Sequence, residues 1–163
     1  MKPRPFDYVR PDTVEEAVAI LAEHGDDARI LAGGQTLLAM LNLRVVEPAI
    51  LVDITRIPEL DVIREIDTRE GGGKIEVGAA VTQNRLMAWP ALRQKLPLLA
   101  AALPFVGHFQ TRNKGTVCGS IAHAEPGTAS VAMSSAFVLG VLSAHTSGRL
   151  GEITTTECDS LKD

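Results

Sequence analysis

The chain has 163 residues, of which 45% are hydrophobic and 22% charged, and its formal net charge is −4. This composition is typical of a folded globular protein with a sizeable core, and it excludes a disordered chain. The acidic balance and the aromatic content of 4% argue against a nucleic-acid-binding surface, which needs basic groups and stacking side chains. Cys118 and Cys158 have no metal-site or redox-motif spacing, so we expect reduced thiols in a cytoplasmic protein.

We also expect no membrane span. The longest apolar stretch, residues 129–144, contains four serines and is shorter than the roughly 20 residues that cross a bilayer. The first eight residues lack the apolar core of a signal peptide.

The first predicted helix begins after Thr13, which forms a capping box with Glu16. Gly25 follows the last turn, where a glycine accepts the left-handed conformation that ends many helices. The apolar positions at helical spacing, which we expect to be buried, are Val14, Ala17, Val18 and Leu21.

Two apolar runs with a helix between them predict a small parallel βαβ unit. Residues 28–32 form the first strand, the helix extends to about Arg44, and residues 49–53 form a strand that is buried on both faces. The connection after the first strand then lies at the carboxyl edge of the sheet, where open α/β sheets bind ligands.

That connection contains Gly33 and Gly34, which let a ligand approach the main chain closely. Thr36 is expected to be the N-cap of the next helix. A glycine loop before a helix offers free N–H groups and the positive end of a dipole, which suits a phosphate. The alternative is a tight strand-to-helix turn with no ligand.

After Pro58 the pattern predicts antiparallel structure, and we place a subdomain boundary near residues 55–59. Residues 60–66 and 74–79 form a hairpin around three glycines, and short helices follow that begin near Thr82, Pro90 and Pro97. Residues 106–126 are rich in glycine, hydroxyl and amide groups and do not resemble a core element. This stretch either binds a polar ligand through its backbone or is an irregular surface loop.

The two glycine stretches resemble a known family. Residues 32–36 (AGGQT) and 112–126 (RNKGTVCGSIAHAEP) are similar in order and spacing to the flavin-binding medium subunit of molybdenum hydroxylases, the carbon monoxide dehydrogenase and xanthine dehydrogenase family. Residues 6–8, 51–54 and 78–82 also fall where the family has them. The similarity covers residues 1 to about 126.

The resemblance implies an α+β, two-subdomain FAD-binding fold of the vanillyl-alcohol-oxidase (PCMH) type. Residues 1–57 would form a small parallel βαβ subdomain, residues 58–145 a larger, mixed and antiparallel subdomain that is incomplete, and residues 146–163 a divergent tail. FAD would lie between the two subdomains. The cofactor-binding residues that the resemblance implies are Ala32, Gly33, Gly34, Gln35, Thr36, Thr116, Val117, Cys118, Gly119, Ser120 and Glu125.

No catalytic or metal-binding residue is expected in this chain. The resemblance implies an electron-transfer subunit of an oxidoreductase complex. Electrons would leave a molybdenum cofactor in a large partner subunit, pass through two iron–sulfur clusters in a small one, reach FAD and then an acceptor such as NAD, oxygen or a quinone. For Cys118 we prefer an inert buried thiol to a redox role. His123 either takes part in acid–base chemistry or is a packing or hydrogen-bonding residue.

The resemblance fails beyond Pro126, where Ala129 and Val131 replace an acidic residue and a proline. Family members also continue into a further C-terminal domain, so we expect a truncated or frame-shifted member. Two alternatives to the electron-transfer subunit remain: a flavin-binding fragment without turnover, and a free-standing small FAD oxidoreductase.

Overall fold

The computed structural model describes residues 2–67 and 73–123. The strands are β1 Asp7–Val9, β2 Ala28–Leu31, β3 Ile50–Asp53, β4 Ile63–Asp67 and β5 Gly73–Val77. The helices are α1 Val14–His24, α2 Leu37–Asn42, α3 Gln83–Met87, α4 Leu92–Lys95, α5 Pro97–Ala102, α6 Phe109–Arg112 and α7 Val117–His123.

The first three strands form a parallel sheet in the order β1-β3-β2. Leu31 at the end of β2 pairs with Asp53 at the end of β3, and all four residues of β3 are buried. The parallel βαβ unit and the doubly buried strand are therefore confirmed. Strand β1 is an addition that the sequence did not predict, because it has three residues and no apolar alternation.

The capping of α1 is confirmed. The Thr13 hydroxyl accepts a hydrogen bond from the Glu16 backbone N–H at 3.2 Å, and the Glu16 carboxylate accepts one from the Asp12 N–H at 2.9 Å. Gly25 has φ +51° and ends the helix. The first contact satisfies an N–H group that the first turn leaves without an intrahelical partner, and the second ties the residue before the cap to the helix.

One position on the predicted buried face of α1 is wrong. Val18 is 44% exposed, whereas Ile20, which was not predicted, packs against the core with Val14, Ala17 and Leu21. The sheet therefore meets a face of α1 that is rotated slightly from the one inferred from spacing alone.

Strands β4 and β5 pair antiparallel, with Ile63 opposite Val77. This confirms the hairpin, although part of its glycine turn (residues 68–72) lies outside the described residues. The Thr82 hydroxyl accepts a hydrogen bond from the Arg85 N–H at 3.2 Å, which confirms the cap of α3.

Two hydrophobic clusters form the core of the described residues. The first packs α1 against the parallel sheet and contains Ala17, Ala28, Ile50, Val52, Ile54 and Ile57. The second joins β5, α3, α4, α5 and α7 and contains Val77, Val81, Leu86, Leu92, Leu99, Leu103 and Val117. The chain is thus a mixed α/β protein with a small parallel sheet and a separate hairpin.

The structure of residues 106–123 differs from the stretch without a core element that we expected. They contain α6 and α7, and Val117 is only 6% exposed within the second cluster. The inference that no core element lies here was wrong, because Val117, Cys118 and Ile121 on α7 pack in or against the second cluster. Helix α2 is also shorter than predicted, since it ends at Asn42 and Arg44 takes a positive φ of 56°.

No helix in residues 2–67 and 73–123 is long and apolar enough to cross a membrane.

Candidate cofactor site

The structure brings the two glycine stretches into contact, although they are far apart in the sequence. A Cβ atom built on Gly33 would lie 2.7 Å from the Gly115 Cα and 2.9 Å from the Thr116 N, and closer still to the Lys114 carbonyl oxygen. All three are backbone atoms and no side chain can fold away to make room. Gly33 is therefore required by the close approach of the two segments.

The second stretch is held in this place by the chain just before α3. Thr82 and Thr116 form an isolated antiparallel bridge. The Gln83 N–H donates to the Gly115 carbonyl at 2.9 Å, and the Val117 N–H donates to the Val81 carbonyl at 3.1 Å. A short two-stranded contact thus presents Gly115 to the loop that follows β2.

In the first stretch, the backbone N–H groups of residues 33–36 donate to no acceptor within the described part of the chain. Gly34 has φ +67°, which favours glycine. The Gln35 side-chain amide folds back and donates to the Gly33 carbonyl at 3.1 Å. Thr36 precedes α2 as predicted but has helical backbone angles and no side-chain cap hydrogen bond, so its predicted capping role was wrong.

Two of the predicted binding residues use their side chains inside the protein. The Thr116 hydroxyl accepts a hydrogen bond from the Gly119 N–H at 3.1 Å and caps the start of α7. A Cβ on Gly119 would lie 2.6 Å from that hydroxyl oxygen, so glycine makes the cap possible. The Val117 side chain packs in the core. Only the backbone of these residues is left to face a ligand.

The Cys118 thiol is also directed into the protein. It donates to the Val77 carbonyl at 3.5 Å and lies 3.8 Å from the Gly78 carbonyl. Burial raises the pKa of the Cys118 thiol to about 11, so the reactive thiolate is scarce at neutral pH. This supports the inert thiol that we preferred.

Gln83 is a site residue that the sequence did not predict. It is only 4% exposed, its Nε2 donates to the Ser120 Oγ at 2.9 Å, and its Oε1 has no hydrogen-bond partner. In the sequence Gln83 is an ordinary first residue of a capped helix. It contacts Gly115 and Ser120, both of which are distant in the chain.

Of the residues still to be placed, one reaches the contact between the two stretches. Ala32 is half-buried at the end of β2 and approaches Gly119, whose built Cβ would be 3.9 Å from the Ala32 Cβ. His123, the last residue of α7, is exposed and so does not pack in the core; an acid–base or hydrogen-bonding role for it stays a prediction. Glu125, together with Ala129 and Val131, lies outside the described residues. Within residues 2–67 and 73–123 no three metal-ligating side chains cluster.

A buried carboxylate lies at the same edge of the parallel sheet. Asp53 is 5% exposed and accepts hydrogen bonds from the Thr55 backbone N–H at 2.9 Å, the Thr55 hydroxyl at 2.6 Å, the Tyr8 hydroxyl and the Arg10 guanidinium. Burial by itself raises the pKa of Asp53, but these hydrogen bonds outweigh it and hold the pKa below its ordinary value. This network ties β1 to β3.

Comparison with known proteins identifies the family. Residues 4–153 match the family described as the FAD binding domain in molybdopterin dehydrogenase. The chain is 46% identical over 125 residues to the 6-hydroxypseudooxynicotine dehydrogenase complex subunit alpha of Paenarthrobacter nicotinovorans, covering 77% of this chain and 40% of that protein. It is 44% identical over 143 residues to the carbon monoxide dehydrogenase medium chain of Hydrogenophaga pseudoflava, covering 85% and 48%.

A solved structure of carbon monoxide dehydrogenase from Hydrogenophaga pseudoflava, in a form that lacks the Mo-pyranopterin moiety, superposes with a TM-score of 0.71 at 44% identity. The match covers 77% of this chain and 42% of that one. The chain therefore spans less than half the length of these relatives, which are subunits of oxidoreductases. The matched family extends over most of the sequence, and this chain belongs to the FAD-binding domains of molybdopterin dehydrogenases.

Proposed function

We propose that this chain binds FAD between its two glycine stretches and acts as the electron-transfer medium subunit of a molybdenum hydroxylase complex. The observation that carries this is the contact of Gly33 with residues 114–116, beside backbone N–H groups at residues 33–36 that no described group accepts. Such donors suit the pyrophosphate of a dinucleotide.

The residues present fit that group. The N–H groups of residues 33–36 supply donors, the half-buried residue Ser120 supplies a hydroxyl, and the glycines leave the main chain accessible. Ala32, Val117, Cys118 and Gly119 would line the site with their backbone, because they have small, inward-directed or no side chains. The N–H groups of Val117 and Gly119 already donate to the Val81 carbonyl and the Thr116 hydroxyl, so these two would contact the cofactor without donating to it. The contribution of Glu125 remains a prediction. Bound FAD would supply the redox chemistry, accepting electrons and releasing them to an acceptor, and the chain would position it.

We assign residues 1–57 and 58–145 to two subdomains that hold FAD between them, as in the vanillyl-alcohol-oxidase type of fold. Support comes from the separate parallel sheet and hairpin and from two distinct hydrophobic clusters. The second range extends past the described residues, and residues 146–163 lie entirely outside them.

The partners follow from the names of the relatives, one a subunit of a dehydrogenase complex and one a medium chain. We propose a large subunit with the molybdenum cofactor and a small subunit with iron–sulfur clusters, assembled in the cytoplasm. Electrons would pass from the clusters through FAD to NAD, oxygen or a quinone. The pocket of the large subunit would set the substrate.

Titration of the purified chain with FAD, ADP and riboflavin tests the cofactor assignment. Flavin absorbance and the quenching of flavin fluorescence report binding of FAD and riboflavin, and calorimetry reports ADP. We expect FAD and ADP to bind and riboflavin to bind far more weakly, because the glycine loops recognise the pyrophosphate. A folded chain that binds riboflavin as tightly as it binds FAD contradicts the assigned role of the loops. A folded chain that binds neither FAD nor riboflavin contradicts FAD binding.

Purification of the chain from its native host under mild conditions tests the complex. We expect a larger and a smaller chain in equal amounts, with molybdenum and iron measured by elemental analysis. Purification of the chain by itself with FAD but without either metal contradicts the assigned partners and favours a free-standing flavoprotein.

A further inference from the structure

Gln83 is a buried polar residue that contacts the second glycine stretch of the cofactor site at two points. Its backbone N–H holds the Gly115 carbonyl, and a Cβ built on Gly115 would lie 3.8 Å from the Gln83 Cδ. Its side-chain Nε2 donates to the Ser120 Oγ at 2.9 Å. Through one residue, α3 thus contacts both the loop before α7 and a side chain on α7.

The polarity of the contact with Ser120 has a chemical consequence. A serine hydroxyl has one proton to donate and two lone pairs that accept. Gln83 donates to the oxygen, and the Ser120 hydroxyl donates to no group among the described residues. The proton therefore remains available for an anionic acceptor at the site.

We propose that Gln83 is a positioning residue that orients the Ser120 hydroxyl so that its proton is presented to the cofactor. The inference deepens the proposed function and rests on it. Gln83 itself would act through Ser120 and through the Gly115 backbone. The hydrogen bond from Ser120 to a phosphate oxygen would be charge-assisted, which is the stronger class of hydrogen bond.

The side-chain oxygen of Gln83 argues against a purely structural role. Oε1 is buried without a partner, and an unpartnered buried oxygen costs stability. Methionine has a similar length and no such oxygen, so it fills the same space without that penalty. If packing were the only demand at this position, an apolar side chain would serve at least as well.

The experiment compares Gln83→Met, Ser120→Ala and the double variant with the parent chain. The dissociation constant for FAD is measured by fluorescence quenching, and the melting temperature is measured without FAD. Each single change is expected to weaken FAD binding about tenfold, as for the loss of one charge-assisted hydrogen bond. The double variant should be no weaker than Ser120→Ala, because both changes remove the same contact. Gln94→Met, an exposed change on α4, is the matched control and should bind FAD as the parent does.

A further variant tests the polarity itself. In Gln83→Glu the carboxylate only accepts at neutral pH, so the Ser120 hydroxyl donates to it and none of its proton is left for the cofactor. The added negative charge also opposes a phosphate. We expect this variant to bind FAD more weakly than Gln83→Met, with the difference reduced at high salt.

The outcomes separate the two proposals. A parent chain that does not bind FAD overturns the proposed function, whatever the variants do. If the parent binds FAD and either Ser120→Ala or Gln83→Met binds FAD with the parent affinity, the proposed role of Gln83 is overturned. A variant whose melting temperature falls while the folded protein keeps the parent affinity also overturns it, because that result is what a structural role predicts. If Gln83→Met fails to fold, Ser120→Ala and Gln83→Glu decide the matter.

Discussion

The substitution Gly33→Ala tests the contact on which the cofactor site depends. The new methyl group would lie 2.7 Å from the Gly115 Cα and 2.9 Å from the Thr116 N, whereas ordinary contacts of a Cβ begin at 3.4 Å. One of the two segments must therefore retreat by about 0.7 Å or more. Both are backbone, and the second is fixed by its pairing with Thr82 and Gln83.

The expected cost is that of overpacking, typically about 1–3 kcal/mol. With about 2 kcal/mol as a central value, the melting temperature of a chain of this size falls by roughly 4–8 °C. The displaced loop also loses alignment with its ligand. We expect FAD affinity to fall by roughly tenfold, as for the loss of one hydrogen bond to a charged group.

The assay pairs thermal unfolding without ligand with FAD titration of the folded protein. Gly25→Ala is the matched control, because Gly25 has φ +51° but no atom within 4 Å of its built Cβ. Gly25 precedes β2 and Gly33 follows it, so the two glycines lie at opposite ends of that strand. The control should lose stability through backbone strain and keep the parent affinity. A Gly33→Ala protein with parent stability and parent affinity refutes the close contact of the two segments.

Two further predictions concern buried titratable groups. Asp53→Asn should lower the free energy of unfolding by about 2 kcal/mol at pH 7. Hydrogen bonds hold the folded pKa of Asp53 below its ordinary value despite burial. The difference in unfolding free energy between the parent and the variant should therefore be complete above about pH 4 and shrink as the pH falls further. Denaturant unfolding over a pH series measures it, and a difference that grows on acidification contradicts the network. Cys118, with a pKa raised by burial to about 11 from 9.0, should react with iodoacetamide at pH 8 roughly 100-fold more slowly than an exposed thiol. Mass spectrometry of the Cys118 peptide follows the reaction, and labelling at the rate of the urea-unfolded chain contradicts the buried thiol.

Local signals predicted the elements whose causes are local. The Thr13 cap of α1 and the Thr82 cap of α3 are each made by a hydroxyl three residues before its donor. All four residues of the apolar run β3 are buried: strands pair with both of its edges, and Ile50 and Val52 pack with α1. These features follow from spacing and composition alone.

The elements that were missed depend on contacts between distant residues. Strand β1 has three residues, and only its pairing with β3 makes it a strand. Helix α7 begins in a glycine-rich segment whose sequence is typical of a loop. It depends on the Thr116 cap and on the packing of Val117 against Val77 of the hairpin. Gln83 contacts Gly115 and Ser120, both of which are distant in the chain. For the cofactor site, the two glycine stretches were predictable from the sequence, whereas the contact of Gln83 with the second stretch was not.

The contact between Gly33 and Lys114 also bears on how the protein is made. The two residues are separated by 81 positions in the sequence. During synthesis, the loop after β2 therefore cannot contact the second glycine stretch until the chain has grown past residue 120. Closing so long a loop costs conformational entropy before any contact repays it. A ligand that binds only the closed arrangement stabilises it by mass action. Flavin loading is therefore expected to be a late step in biosynthesis, and the supply of FAD in the cell should influence how much of the newly made chain reaches its folded form.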